Sequence, residues 1–442
     1  MNDTVFPTSS HHRRYLLLLL FVALAIRLGW AMTRPADAAS VDQLPDQREY
    51  LETARNLLYG EGLGFVDPRF GQKVYAFRTP GYPAFLAACG ANVRVARVVQ
   101  AILDTGTVLA AYLLARRWLS KWASLFAALL VAFNPFLIYF CGLLLTETLF
   151  TAMLAWAMVL LAWPGAITSV GKARLAWIGG VLLLALAVLV RPGAIGLPVG
   201  LAVCGVLVNR RASNAYHLGS FWPLPVAATA LLLTGLVLLP WAYRNHLVVG
   251  QWIWTSTNGG FTAYDGFNPD ADGSSNQSFV QAMPQLGRMD EVGRSKYLTA
   301  RARDYTDAHP GRVTELAIAK IARMWSPKPL SDDFGRPLYV AAALLYGAPF
   351  FLLVIVGVFS SPLPLSAKVF LLSPAVYLTV VHALSVGSLR YRVPAEVPMA
   401  VVAAGVVARV LESVRTPDWR RPRDDEDGDE LDADGRPIET LS

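Results

Sequence analysis

Hydrophobic residues in this 442-residue chain come in long blocks separated by short polar stretches. The first block is 15–33, and others lie at about 94–115, 123–140, 145–163, 174–190, 194–208, 223–243, 337–358, 366–385 and 393–411. Most have the length that crosses a bilayer as a helix, roughly 17–25 residues. The block 194–208 is short, so the pattern predicts about ten spans, within one. Two long hydrophilic segments, 34–93 and 244–336, interrupt the series. The expectation is an all-α polytopic membrane protein with about ten transmembrane helices and two extracytoplasmic loop regions carrying juxtamembrane helices. The N-terminal residues 1–14, a membrane domain over 15–411 and a polar tail over 412–442 are its divisions. The run 15–33 resembles a leader peptide, but its length and the many later spans mark it as a retained first helix.

Composition agrees: 54% of residues are hydrophobic and 16% charged, against about a quarter charged in soluble domains. The net charge of +7 conceals an asymmetry. Residues 424–442 hold nine acids against Arg436, a charge of −8 that leaves +15 on residues 1–423. Such a tail reads as disordered and solvated. The basic residues stand in short clusters between apolar blocks, where they orient a membrane protein rather than bind nucleic acid. With Arg13 and Arg14 inside, alternate loops hold Arg116, Arg117 and Lys121, then Lys172 and Arg174, then Arg210 and Arg211, then Lys368, then Arg415, Arg420 and Arg421. Both termini are then cytoplasmic, in the plasma or inner membrane, and both long polar segments are outside.

That orientation puts Asp46, Arg78, Glu147, Arg191, Arg244, Arg390 and Arg392 on one outer face. Charges at the hydrocarbon edge are costly and are commonly paired or functional. Snorkelling explains one arginine, but five arginines and two acids on one face predict a shared site. Few charges lie at mid-span, which speaks against a transport path. No internal repeat stands out.

In the first outer segment, Asp46 with Glu49 three residues on reads as a capping box. A helix with Tyr50, Ala54, Leu57 and Leu58 on one face follows, through Tyr59. The run Gly60-Glu61-Gly62-Leu63-Gly64-Phe65 ends it, without the lysine and hydroxyl of a phosphate loop. Arg78-Thr79-Pro80-Gly81-Tyr82-Pro83 reads as a rigid turn that presents Arg78. In the second segment, 258–273 reads as turns, 286–308 as a charged helix and 311–325 as another begun by Pro310. Asp270-Ala271-Asp272-Gly273 lacks the distal glutamate of a calcium loop, position 281 being Gln. The three cysteines and six histidines show no metal-ligand spacing beyond His11-His12, so no metal residues are assigned.

These motifs together resemble a family. An acid and Tyr50 after the first span, Gly62-x-Gly64-Phe65, and Arg78-x-Pro80-Gly81-Tyr82-Pro83 look like the GT-C glycosyltransferases. The nearest group is the bacterial relatives of protein O-mannosyltransferases and aminoarabinose transferases (glycosyltransferase family 39-like). Asn134-Pro135, Thr146-Glu147, Arg191-Pro192, Pro240-Trp241-x-x-Arg244-Asn245, His309-Pro310, Trp325 and Arg390-Tyr391-Arg392-x-Pro394 continue the resemblance. It implies a sugar donor on polyprenyl phosphate and transfer, with inversion, to a hydroxyl of a lipid, glycan or protein at the extracytoplasmic face. It implies Asp46 as general base, with Asp42 and Glu49 as alternatives, and membrane lipids as surroundings. A divalent cation is left open as a cofactor.

The chemistry calls for the same residue types. A hydroxyl is a poor nucleophile, so a carboxylate within hydrogen-bond reach takes its proton. The departing lipid phosphate needs cations, and arginine binds phosphate with two bonds. Arg78, Arg191, Arg244, Arg390 and Arg392 are the candidates, Glu147 pairs with an arginine or orients a hydroxyl, and Tyr82 lines a groove or packs in the core. Two other readings stay open: a transporter or flippase of lipid-linked glycan, and a polysaccharide polymerase or ligase using a diphosphate-linked donor.

Overall fold

A computed structural model describes residues 10–164, 169–209, 223–330 and 337–415. The acidic run 424–442 and the basic residues Arg210, Arg211, Arg420 and Arg421 lie outside the described residues.

Every predicted apolar block forms helix. The first is α1 (Ser10–Thr33), and two short amphipathic helices follow, α2 (Ala38–Asp42) and α3 (Pro45–Leu58). A small antiparallel hairpin, β1 (Phe65–Asp67) and β2 (Gln72–Val74), pairs Phe65 with Val74. Then come α4 (Gly81–Ala88), α5 (Val93–Arg116), α6 (Lys121–Ala132), α7 (Pro135–Cys141), α8 (Thr146–Ala162), α9 (Val170–Val190), α10 (Leu197–Val208) and α11 (Pro223–Val249). The second polar segment supplies α12 (Gly259–Gly266), α13 (Phe279–Ala282), α14 (Glu291–Ala308) and α15 (Pro310–Met324). The chain ends in α16 (Pro337–Ser360), α17 (Leu365–Ala383) and α18 (Val393–Arg415).

Seven described helices are long and apolar enough to cross a membrane, and eight if the bent pair α6–α7 counts as one span. The expected ten is therefore not reached. The shortfall is in α8, with 17 residues, and in the segment Pro192–Val208. α8 opens with Thr146-Glu147, which the block 145–163 takes in, and Arg191 separates α9 from the short segment. The α6–α7 pair bends by 51° at Asn134. There Pro135 cannot donate its backbone nitrogen, and the Asn134 side chain instead caps Phe136 and Leu137.

Packing follows small residues. α5, α8 and α18 make the interior, where Ala101, Ala110, Ala111, Ala155, Ala157, Ala400 and Ala403 are buried. Helices in a membrane approach closely through such residues. The outer helices turn large apolar side chains outward, among them Leu18 and Phe21 of α1, Leu231 of α11 and Leu345 and Phe359 of α16. This is the surface of a multi-pass membrane protein.

The two polar segments fold together at one end. Phe65, Val74 and Phe77 of the first share an apolar cluster with Phe261, Phe267, Leu298 and Leu316 of the second. Glu291 accepts the backbone N–H groups of Tyr75 and Ala76. The hairpin was not visible in the sequence, since three-residue strands carry no periodic signal. Residues 259–266 also form helix where turns were expected, because their buried face packs on α14.

A charged pair joins two spans of the bundle. Arg27 of α1 and Asp104 of α5 are fully buried and 2.6 Å apart. Arg27 also donates to the carbonyls of Ala132 and Val131, at 2.9 and 3.1 Å. This corrects the expectation of nearly charge-free mid-spans. The pair ties α1, α5 and the end of α6 together, and breaking one side leaves a buried charge. Arg27→Met should therefore cost roughly 3–5 kcal/mol, read as loss of thermal stability in detergent, and adding Asp104→Leu should recover most of it. A double variant no better than the single would refute that role.

Candidate active site

α3 begins with Pro45, whose fixed φ suits the first helical position. Asp46 thus falls inside the first turn, and no side chain caps this helix. The expected capping box does not form, because both carboxylates turn instead to arginine. Asp46, Glu49 and Tyr50 share one face of α3, as their spacing requires. Arg78 enters from the bend before α4. Gly81 lets that bend approach the end of α9 closely: a Cβ there would lie 2.7 Å from the Leu189 carbonyl. Arg191 directly follows α9, Glu147 opens α8, and Arg390 lies in the 3-10 turn Leu389–Tyr391 before α18.

Together these residues form a continuous chain of ion pairs. Arg78 Nη2 is 2.5 Å from Asp46 Oδ1 and 2.5 Å from Glu49 Oε2. Arg390 donates through Nη1 and Nη2 to Asp46 Oδ2, each at 3.2 Å. Arg390 Nε stands 2.7 Å from Glu147 Oε1, an ion pair without hydrogen-bond geometry. Arg191 Nη2 donates to the same oxygen at 2.7 Å and to Thr146 Oγ1 at 3.2 Å. The cluster balances three carboxylates with three guanidiniums.

Burial differs sharply along this chain. Glu147 is fully enclosed and Glu49 nearly so, while 28% of the Asp46 side chain is exposed. Asp46 is thus the carboxylate that a ligand can reach. Burial would raise its pKa, but Arg78 and Arg390 outweigh burial and hold it well below the usual carboxylate range. Burial also pushes the Tyr50 phenol up to about 12, so it stays protonated among these charges.

Four other candidates lie apart from this chain. Tyr82 is fully buried and donates to Gln100 Oε1 at 2.6 Å, which makes it a packing residue. Arg244 donates to the carbonyls of Leu63 and Tyr75, at 2.6 and 2.8 Å, and so fastens the first polar segment to α11. Arg392 is fully buried; it bonds Glu396 at 2.7 Å, Met324 O at 2.8 Å and Ser326 O. Glu396 in turn accepts from Asn134 at 2.7 Å, so Arg392 clamps α15, α18 and the bend after α6. Asp42 is exposed and lines a hollow with Arg48, Glu52 and Arg55 on the other side of α3. Among the described residues no group of three or more His, Cys, Asp and Glu side chains gathers as a metal ligand set.

The structure adds Tyr50, Thr146 and His382 to the cluster's surroundings. Tyr50 carried a usable signal, being four residues from Asp46 on the same helical face. His382 carried none, since it ends an apolar helix eight residues before Arg390.

Residues 83–241 match the family model described as dolichyl-phosphate-mannose-protein mannosyltransferase. No curated protein matches the chain. Among solved structures, the oligosaccharyltransferase AglB from Archaeoglobus fulgidus, in complex with an inhibitory peptide and a dolichol-phosphate, has a TM-score of 0.53 at 15% identity. The match covers 92% of this chain and 51% of that one. The apo form of the Archaeoglobus fulgidus oligosaccharyltransferase gives a TM-score of 0.50 at 15% identity, over 92% and 53% of the two chains. ArnT from Cupriavidus metallidurans, bound to undecaprenyl phosphate, has a TM-score of 0.39 at 16% identity over 91% and 79%. The chain spans about half the length of the oligosaccharyltransferase it matches. It shares its fold with that oligosaccharyltransferase.

The depressed Asp46 pKa has a measurable consequence. Its folded-state value lies below the unfolded value of about 3.9, so the ion pairs stabilise fully above that pH and fade as pH falls through the folded-state value. Asp46→Asn should melt below the wild-type protein at pH 7, and the gap should narrow progressively as pH falls below about 4. A gap independent of pH would show that the Asp46 charge adds nothing to the fold.

Proposed function

We propose that this chain is an integral membrane glycosyltransferase of the GT-C superfamily. It moves a sugar from a polyprenyl-phosphate donor to a hydroxyl acceptor, with inversion, at the extracytoplasmic face of the membrane. The observation that carries the reading is the reachable carboxylate of Asp46 joined through Arg390 to Glu147 and Arg191. The mannosyltransferase family pattern over 83–241 and a fold shared with a dolichol-phosphate complex support it.

In this mechanism Asp46 accepts the proton of the acceptor hydroxyl as its oxygen attacks the anomeric carbon. The bond from that carbon to the phosphate oxygen breaks on the opposite side, and polyprenyl phosphate leaves with the electron pair. Arg390 and Arg191 stabilise the charge that grows there. Because the cluster is neutral without substrate, an incoming phosphate competes with the carboxylates for guanidinium. Arg390 is the member that yields, since its bonds to Asp46 are the longest at 3.2 Å. Its departure leaves Asp46 held by Arg78 alone, a stronger base than before. Glu49, bonded twice by Arg78, keeps that arginine in place. Arg244 and Arg392 support the scaffold and stay clear of the phosphate.

A transporter would use charge inside the spans, and Arg27–Asp104 is the pair on offer. It is sealed from solvent and bonded to backbone carbonyls, a structural arrangement rather than a path. A polymerase or ligase with a diphosphate-linked donor would not need the reachable Asp46.

The test is complementation of a deletion strain, with the glycan or lipid product followed by mass spectrometry. Asp46→Asn should lower transfer by about 10²–10⁴-fold, the range for losing a general base, while the protein stays folded in the membrane. Full product from that variant would remove Asp46 from the chemistry.

A further inference from the structure

Around the Tyr391 ring, three buried nitrogen atoms meet no hydrogen-bond partner among the described residues: Nη1 of Arg191, Nε2 of His382, and Nε of Arg390, which is ion-paired with Glu147. The His382 imidazole lies flat against Tyr391, with centroids 3.7 Å apart and planes 4° from parallel. The guanidinium carbons of Arg191 and Arg390 lie 5.7 and 5.5 Å from the centroid of that same ring. His382 therefore shares its platform with the two cations assigned above to the lipid phosphate.

The orientation of the imidazole is fixed on two sides. The stack sets its plane, and Nδ1 lies 3.3 Å from Ser385 Oγ. Ser385 Oγ donates its own proton to Val381 O at 3.1 Å, so it accepts from Nδ1. Nε2 of the neutral ring is then left with a lone pair, and the Arg191 guanidinium lies over the same Tyr391 ring. An unmatched buried polar atom is costly, and a ligand that satisfies both Arg191 Nη1 and His382 Nε2 must accept from arginine and share a proton with imidazole. A phosphate monoester does both. As a monoanion it can donate its P–OH proton to Nε2 while its other oxygens accept from arginine. A phosphodiester has no such proton.

We infer that His382 is a further ligand of the lipid phosphate, selective for the monoester released after transfer over the diester donor. The inference rests on the reading that Arg390 and Arg191 bind lipid phosphate. Glu147, Arg191, Arg390, Tyr391, Ser385, Thr146 and the Val386 backbone are among the polar and charged groups around this place.

The experiment measures binding of two probes, undecaprenyl phosphate and its methyl ester, to the full-length protein in lipid nanodiscs. His382→Phe keeps a flat ring against Tyr391 and removes both nitrogens. It should weaken the monoester about tenfold or more, the weight of one hydrogen bond to a charged group, and leave the methyl ester unchanged. His382→Gln, which restores a polar atom near Nε2, should recover part of the loss. Unchanged monoester binding by His382→Phe, or equal weakening of both probes, would overturn the inference. Arg390→Gln separates the two levels. If it weakens both probes while His382→Phe weakens neither, only the role of His382 falls. If Arg390→Gln also binds both probes as the wild type does, the phosphate site itself is wrong.

Discussion

Three carboxylates and three guanidiniums alternate at one rim of the bundle, from Glu49 through Arg78, Asp46, Arg390 and Glu147 to Arg191. They come from α3, the bend before α4, the turn before α18, and the adjoining ends of α8 and α9. Burying such charges singly would be prohibitive, so each position is tolerable only because its neighbours are present. The neutrality of the set is also what makes it responsive. In the proposed mechanism an added phosphate, meeting a set already in charge balance, displaces a carboxylate from Arg390, and the displaced carboxylate gains basicity. In that mechanism, charge balance would thus link donor binding to activation of the base.

The supporting framework does its part by positioning backbone. Arg244 fastens the first polar segment to α11, Glu291 holds the Tyr75–Ala76 backbone, and Arg392 with Glu396 and Asn134 locks the bend after α6. These residues lie near the cluster and share its residue types, but their hydrogen bonds end on carbonyls, amides and an enclosed glutamate. Deeper in the bundle, Arg27 and Asp104 serve the same end.

Much of this was legible in the sequence. Bilayer-length apolar blocks announced the helices, and the excess of charges near one rim announced a site. Asp46, Arg78, Glu147, Arg191 and Arg390 do come together, with Glu49 among them. What stayed hidden was which arginines join the chain of carboxylates at Asp46 and which bond backbone, because Arg244 and Arg392 carry the same hydropathy signal as Arg191. The hairpin at 65–74 and the helix at 259–266 depend on contacts between the two polar segments, which no local window contains. The count of ten spans is not confirmed, because α8 and the segment Pro192–Val208 are apolar helices shorter than the other spans.

A structure of the full-length protein in lipid nanodiscs with bound undecaprenyl phosphate would decide most directly whether the cluster works by exchange. The phosphate is expected against Arg390 and Arg191, with Arg390 drawn off Asp46 and Arg78 still bridging Asp46 and Glu49. A phosphate seated elsewhere, with the Asp46–Arg390 pair intact, would contradict the mechanism.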